Sequence, residues 1–237
     1  MPRPVTFTVV IPTLNEAGVI ESTLRAVASL GFGDIIVVDG GSSDETRTIV
    51  ESAAGRLERP VSVRLLPSAP GRARQLNVGA AASTADVLLF LHADSLLPAN
   101  ARPAIEEALR DSGVVGGRFD VRFDRPSVWG QIISTCMNVR SRLSRISTGD
   151  QAIFVRRVIF ERLGGFSEIP IMEDIDFSAR LKRIGRIAAI SEHVTTSFRR
   201  WERQGPLHTI LLMWSLRFLY WIGVSPRRLA QFYTAVR

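Results

Sequence analysis

From residue 7 to residue 91 the chain repeats one unit, a short apolar run followed by a stretch whose apolar residues recur at helical spacing. Phe7 to Ile11 is the first run, and Val19, Ile20, Leu24, Val27 and Ala28 follow it on one predicted helix face. Ile35 to Val38 is the second, with Ile49, Val50, Ala53 and Leu57 behind it. Val61 to Leu66 and Val87 to Leu91 are further strands, separated by a helix around Arg74 to Ala82. Short links between strand and helix leave room for right-handed crossovers alone. The chain is therefore α/β, with a mostly parallel, Rossmann-like central sheet flanked by helices and a ligand crevice at the carboxyl ends of the strands.

Beyond residue 113 the pattern loosens. Val114 to Phe123 reads as a longer strand, Val128 to Leu143 as a helix, and residues 148–157 as a loop entering a strand. A helix from about Glu173 to Lys182 and a strand at Ile187 to Ile190 follow, without an internal repeat or low-complexity linker. We divide the chain into an α/β unit, residues 1–205, and a hydrophobic helical extension, residues 206–237. Leu207 to Val224 is the most apolar segment, yet its 18 residues include His208 and Arg217, which argues against a membrane span. It either packs on the rest of the chain, with a homodimer contact as one form of that, or lies in a membrane surface beside Arg199, Arg200, Arg203, Arg227 and Arg228. Packing is the reading we prefer from the sequence, with the aromatic residues covered.

Composition narrows the chemistry. A single cysteine, Cys136, excludes an internal disulfide and a cysteine metal cage, and histidines at 92, 193 and 208 form no close cluster. Of 30 basic residues only Lys182 is a lysine, and the formal charge is +7. An arginine excess suits phosphate and carboxylate recognition through bidentate contacts. No basic motif of a recognised nucleic-acid reader is present, so no nucleic-acid partner is expected. The N-terminus lacks a signal-peptide pattern, which makes the cytoplasm the expected compartment, with peripheral contact at the inner membrane face as the alternative the tail allows.

The strand ends carry the unusual residues. Asp39, directly after a strand, is placed to accept hydrogen bonds from a ribose or base, and Gly40 and Gly41 permit close backbone approach. The same segment also turns the chain and caps the next helix, with Asp44 as the expected cap. Asp94, in Leu91-His92-Ala93-Asp94, suits Mg²⁺ or Mn²⁺, which prefer oxygen ligands; a turn or cap is the plainer role. Glu173, Asp174 and Asp176 form either a catalytic cluster or an acidic first helical turn favoured by the helix dipole.

In order and spacing, VVIPTLNE, IIVVDGGSSDET, GRARQLNVGA, VLLFLHAD and MEDIDFSARL resemble the inverting GT-A glycosyltransferases of family 2 over residues 7–201. HAD, TGDQAIF and RRWERQG further resemble a bacterial subgroup associated with arsenosugar biosynthesis. The resemblance implies a nucleotide-sugar donor, probed by Pro12, Thr13, Asn15, Glu16, Asp39, Gly41, Arg72 and Ala93, with UDP or GDP as the expected nucleotide. Asp94 matches the last acidic position of the D-x-D metal motif and implies a divalent cation, while His92 stands where the first acidic residue would be. His193 is a candidate further metal ligand or phosphate contact, or else a surface histidine. The resemblance sets Arg72 and Arg74 in the loop approaching the donor phosphates; Leu76 occupies the position of a common family arginine, which shifts that role to Arg72. Asp174 matches the general base and Glu173 its partner, and Asp150 and Gln151 lie where the acceptor loop does, as acceptor ligands or as a plain turn. Ser197 replaces the first residue of the Q-x-x-R-W signature, which disfavours long-chain polymer synthesis. The acceptor would be a hydroxyl on a small or lipid-linked molecule. Two alternatives are a nucleotide-sugar-binding module that has lost catalysis, suggested by His92, and a nucleotidyltransferase, against which PTLNE offers no glycine-rich loop.

Overall fold

A computed structural model describes residues 3–57 and 61–234. Strands β1 (Phe7–Thr13), β2 (Asp34–Asp39), β3 (Ser62–Pro67) and β4 (Val87–Phe90) alternate with helices α1 (Ile20–Ser29), α2 (Thr46–Arg56) and α3 (Arg72–Ala81). There follow β5 (Ser95–Leu96), α4 (Ala101–Ala108), β6 (Val114–Phe123), α5 (Val128–Ser144), β7 (Ile153–Arg156), α6 (Arg157–Arg162), α7 (Glu173–Leu181) and β8 (Arg186–Thr196). The chain continues as α8 (Arg199–Gln204), α9 (Pro206–Trp221) and α10 (Pro226–Thr234). One eight-stranded sheet has the order β3-β2-β1-β4-β7-β6-β8-β5. β1 pairs in parallel with β2 and β4, β2 with β3, and β6 with β8, while β7 runs against both β4 and β6.

The sheet is buried on both faces because its strands are apolar at successive positions. Val9, Ile11, Ile35, Val37 and Leu89 face one layer with Leu24 of α1, Val50 of α2 and Ile105 of α4. Val10, Ile36, Val38, Leu88 and Phe90 face the other, packed on Leu76 and Ala80 of α3, Phe160 of α6 and Phe177 of α7. Odd and even residues of one strand thus feed different cores, as a period of two requires. The strand order reverses between β2-β1 and β4, which opens a crevice at the carboxyl ends of these three strands.

Three differences from the sequence reading have physical causes. β8 runs on past Ile190 to Thr196, because a bulge inserts Ser191 and Glu192 between the pairs Phe119–Ile190 and Asp120–His193 and so breaks the alternation. α4 carries Pro103 inside its first turn, where the missing N–H costs nothing, and is a helix that the sequence reading passed over. The tail is two helices, and its aromatic residues are not covered: Trp214 is 70% and Trp221 80% exposed, while Thr209 and Leu216 form the buried side of α9. Among the described residues no helix is long and apolar enough to cross a membrane.

Gly117 sits in β6 between β7 and β8, where a Cβ would come 2.5 Å from Phe154 Cζ and 2.6 Å from the Ala188 carbonyl oxygen. A strand backbone gives little. Gly117→Ala should therefore destabilise the fold by about 1–3 kcal/mol, seen as a lower urea midpoint at unchanged slope; an unaltered midpoint would show that the strands separate freely here.

Candidate active site

The crevice is assembled from the ends of β1 and β2, held in register so that Thr13 lies beside Asp39. The Gln75 amide nitrogen donates to the carbonyls of Thr13 (2.8 Å) and Val38 (2.9 Å), and the Gly40 N–H also donates to Thr13 O at 2.9 Å. Gln75 is buried, and a Cβ on Gly40 would stand 2.9 Å from its amide nitrogen. The glycine is needed there for the carboxamide to reach both strands. Sequence reasoning missed Gln75; its signal was a lone amide on the apolar side of α3.

The loop beyond β1 is pinned to the loop beyond β2. Asn15 has a left-handed backbone (φ 57°), its N–H donates to Ser42 Oγ at 2.9 Å, and its Oδ1 accepts from Ser43 N at 2.8 Å. Thr46 Oγ1 accepts from Glu16 N at 2.8 Å. Asp39 is 3% exposed and curls back on its own turn, accepting from the Gly41 and Ser42 N–H groups at 3.1 and 3.0 Å, with Gly41 at φ 94°. The Ser42 hydroxyl donates to the other Asp39 oxygen at 2.5 Å, so three of about four acceptor positions are taken and one is left for a ligand. Pro12 and Glu16 are half-buried along the same rim. Thr13 is buried with its hydroxyl on Val38 O, and Ala93 is buried with its carbonyl accepting from Thr23 Oγ1 at 2.6 Å. Both shape the crevice from below; their side chains do not face it. Asp44 is not the residue at the helix cap position, which is Glu45, but its Oδ1 accepts from Thr46 N at 3.0 Å.

On the other side, α7 brings its acidic first turn against α3. Glu173 is buried and pairs with Arg72, Nε to Oε1 3.3 Å. Burial would push the Arg72 guanidinium down, but Glu173, then Asp174 and Asp150, outweigh it and hold it above its ordinary value, so it is always charged. Asp174 is half-buried and accepts from the Gly149 N–H at 2.8 Å and from the Ile175 N–H at 2.7 Å. Met172, directly before this turn, is left-handed (φ 70°), a cost borne where the chain must turn the two carboxylates inward. Beneath them Phe90, Phe160, Phe166 and Phe177 pack ring against ring, with Phe166 and Phe177 centroids 4.5 Å apart. Asn77 of α3 exchanges two hydrogen bonds with the Phe166 backbone, 2.8 and 2.9 Å, and so fixes the loop leading into α7.

The Gly149–Gln151 turn supplies the third wall. His92 Nδ1 lies 3.2 Å from Asp150 Oδ1, and its buried Nε2 has no hydrogen-bond partner among the described residues. A Cβ on Gly149 would fall 1.7 Å from Arg72 Nη2 and 2.6 Å from His92 Nε2, so only glycine lets both side chains close over this turn. Arg72, His92, Gly149, Glu173 and Asp174 line one pocket with Leu76 and Phe90. Asp94, half-buried just past β4, makes neither hydrogen bond nor ion pair among the described residues. Arg140 of α5, unremarked in the sequence, is pushed below its ordinary value by burial, which the charges of Asp174 and Asp150 only partly offset; its Nε and Nη2 are buried without partners.

At Gln151, Asp176 and His193 the structure favours the plainer of the two readings left open, and it moves Arg74 away from the crevice. Gln151 is fully buried, its Oε1 accepting from Thr148 N (3.1 Å) and its Nε2 donating to Ser141 Oγ (3.0 Å), so it holds the turn and is not available to an acceptor. Arg74 lies on α3 and pairs with Glu168 at the surface, 3.0 Å, away from the crevice. Asp176 is occupied by Ser167 Oγ (2.7 Å) and Arg180 (2.8 Å). His193 does not join Asp94: Ser95 pairs with Thr196 in antiparallel register, so His193 lies about four residues, roughly 13 Å, along the strand from the position opposite Asp94. Among the described residues no three acidic, histidine or cysteine side chains gather into a metal cage.

Comparison with known proteins gives the family and the fold. Residues 8–167 match the model of Glycosyl transferase family 2, a span that includes the donor-side strand ends and stops seven residues before Asp174. A PGL/p-HBAD biosynthesis glycosyltransferase of Mycobacterium tuberculosis is 32% identical over 188 residues, covering 73% of this chain and 68% of that protein. Staphylococcus aureus TarS (residues 1–349) superposes with a TM-score of 0.66 at 16% identity, covering 90% of this chain and 65% of its own. The mannosyltransferase PcManGT of Pyrobaculum calidifontis, solved with GDP-Man and Mn²⁺, gives 0.63 at 22% identity, covering 91% and 65%. This chain thus spans a little under two thirds of either solved chain. At such identities the solved structures speak for the fold alone, a mixed sheet between helical layers; the family match, over more than half of the chain, makes the protein a glycosyltransferase of family 2.

Proposed function

We propose that the protein transfers one sugar from a UDP- or GDP-linked donor to a hydroxyl acceptor with inversion, using Asp174 as the base. The supporting observation is the placement of Asp174 at the mouth of the Arg72 pocket, its carboxylate aimed by two backbone N–H groups. Two bonds occupy part of the carboxylate and leave lone pairs to accept a proton. The acceptor O–H would pass its proton to Asp174 as its oxygen bonds to the anomeric carbon, and the bond from that carbon to the diphosphate would break with its electron pair leaving on the nucleoside diphosphate. Asp39 and the Asn15 loop would hold the nucleoside, and Arg72, kept charged by Glu173, would meet the diphosphate.

The chemistry of the donor set fits a divalent cation. Among the described residues Asp94 is a half-buried carboxylate without a hydrogen bond or ion pair, a hard oxygen donor whose coordination donor phosphate oxygens would complete. Mn²⁺ or Mg²⁺ held by Asp94 would supply charge neutralisation on the leaving diphosphate. PcManGT, crystallised with GDP-Man and Mn²⁺, and S. aureus TarS, crystallised with UDP-GlcNAc, support the donor class.

Asp174→Asn keeps the shape and one acceptor oxygen but cannot take the proton. Its kcat for release of nucleoside diphosphate should fall by about 10²-fold or more at nearly unchanged nucleotide Kd; a matching loss of nucleotide binding would reassign Asp174 to the donor. For the metal, UDP or GDP should raise the melting temperature more with Mn²⁺ than with chelator, a difference that Asp94→Ala removes. Equal shifts under both conditions would mean metal-independent donor binding.

A further inference from the structure

α9 presents a continuous apolar stripe to solvent. Leu207, Leu211, Trp214, Phe218 and Trp221 are all more than half exposed, and their spacing of four, three, four and three residues confines them to about 80° of the helix circumference. Thr209 and Leu216, buried, lie on the opposite side and dock the helix. α10 is anchored by Leu229, which is fully buried, and shows solvent Phe232, Arg227 and Arg228. After Glu202 the sequence contains no acidic residue, whereas Arg203, Arg217, Arg227, Arg228 and Arg237 are all cationic. The side chain of Arg203, and residue 237, lie outside the described residues.

Charge decides what covers this face. A second copy brought stripe to stripe would oppose arginines with arginines and bring no carboxylate from either tail. A surface of anionic lipid supplies the missing sign, and two exposed indoles suit the depth of the headgroups. The helix is too short and interrupted to span, so it would lie in the plane of the interface.

We infer that α9 and α10 form an in-plane docking face for an anionic lipid bilayer, with Trp214, Phe218 and Trp221 inserted and Arg227 and Arg228 on the headgroups. Arg199 of α8, the helix that leads into α9, lies 3.9 Å from Glu16 on the crevice rim, so these helices follow the candidate active site directly. Resting on the proposed transfer reaction, this position would favour a lipid-linked hydroxyl acceptor; the docking itself does not depend on that reaction.

Flotation of the full chain without detergent tests the docking. With vesicles of mixed phosphatidylcholine and phosphatidylglycerol the protein should float at low salt and be released at high salt, and it should stay at the bottom with phosphatidylcholine alone. Arg227→Gln combined with Arg228→Gln should lower the partition coefficient by roughly tenfold or more. Trp214→Ser with Trp221→Ser should abolish flotation at unchanged far-UV circular dichroism, since both side chains are already in water. Protein that stays at the bottom with both vesicle types, floats equally with both, or forms a lipid-free dimer dissolved by the tryptophan substitutions would overturn the inference.

Discussion

A single buried carboxamide joins the two strands on which the donor side of the site is built. Gln75 donates to the Thr13 carbonyl that ends β1 and to the Val38 carbonyl one residue before the end of β2, adding a donor to each beside the Gly40 N–H and the Thr13 hydroxyl. The same helix sends Arg72 to Glu173 and Asn77 to the Phe166 backbone. One helix of ten residues therefore fixes the spacing between the Asn15 and Asp39 loops on one side and the Glu173–Asp174 turn on the other. Both donors of the amide are committed, and each such bond contributes about 0.5–1.5 kcal/mol. Gly40 follows from this arrangement, because any Cβ there would displace the amide.

The carboxylates at the other wall are kept apart by unlike surroundings. Glu173 is enclosed and neutralised by Arg72, which suits holding charge in place; Asp174 is half-open and held only by N–H groups. Such divergence between adjacent acids would give one site a fixed charge and, on the proposed reading, a base. Positive φ at Asn15 and Met172 marks the two places where the backbone is bent against its preference, one in each wall. Buried Arg118 and Asp120 pair with each other, and exposed Arg142 closes on Asp120 from the surface, so ions lie beside the apolar packing of Phe119 and Phe154 in this region.

Much of this was legible in the sequence because it is periodic or sits at a strand end. The first four strands and three helices follow from apolar spacing. Asp39 and Asp94 stand out at strand ends, with a turn or cap as the plainer role for Asp94. Asp174 is singled out by the resemblance of its segment, since a first helical turn alone favours the dipole reading. What was not legible depends on partners far away in the chain. Gln151 and Asp150 are neighbours, yet one turns into the core to cap its own turn and the other out to His92, a choice made by Ser141 and by the closeness of Gly149 to Arg72. Gln75 and Arg140 carry no motif, and only the fold shows what they face. His193 stood open between a ligand and a surface residue while its strand was taken to end at Ile190; the longer β8, with its bulge, sets it along the strand from Asp94. The tail's aromatics were legible as a cluster but not as an exposed stripe, since the few residues that dock α9 are not distinguished by composition.

The central claim is a single displacement at the anomeric carbon, assisted by Asp174 and opposed by the departing diphosphate held at Arg72. Water admitted in place of the acceptor hydroxyl would undergo the same displacement, so the acceptor need not be known. The anomeric proton coupling of the free sugar, recorded by NMR before mutarotation, reads the stereochemistry directly. The account predicts the anomer opposite to that of the nucleotide-sugar donor as the first product. Release of the donor's own anomer would contradict it.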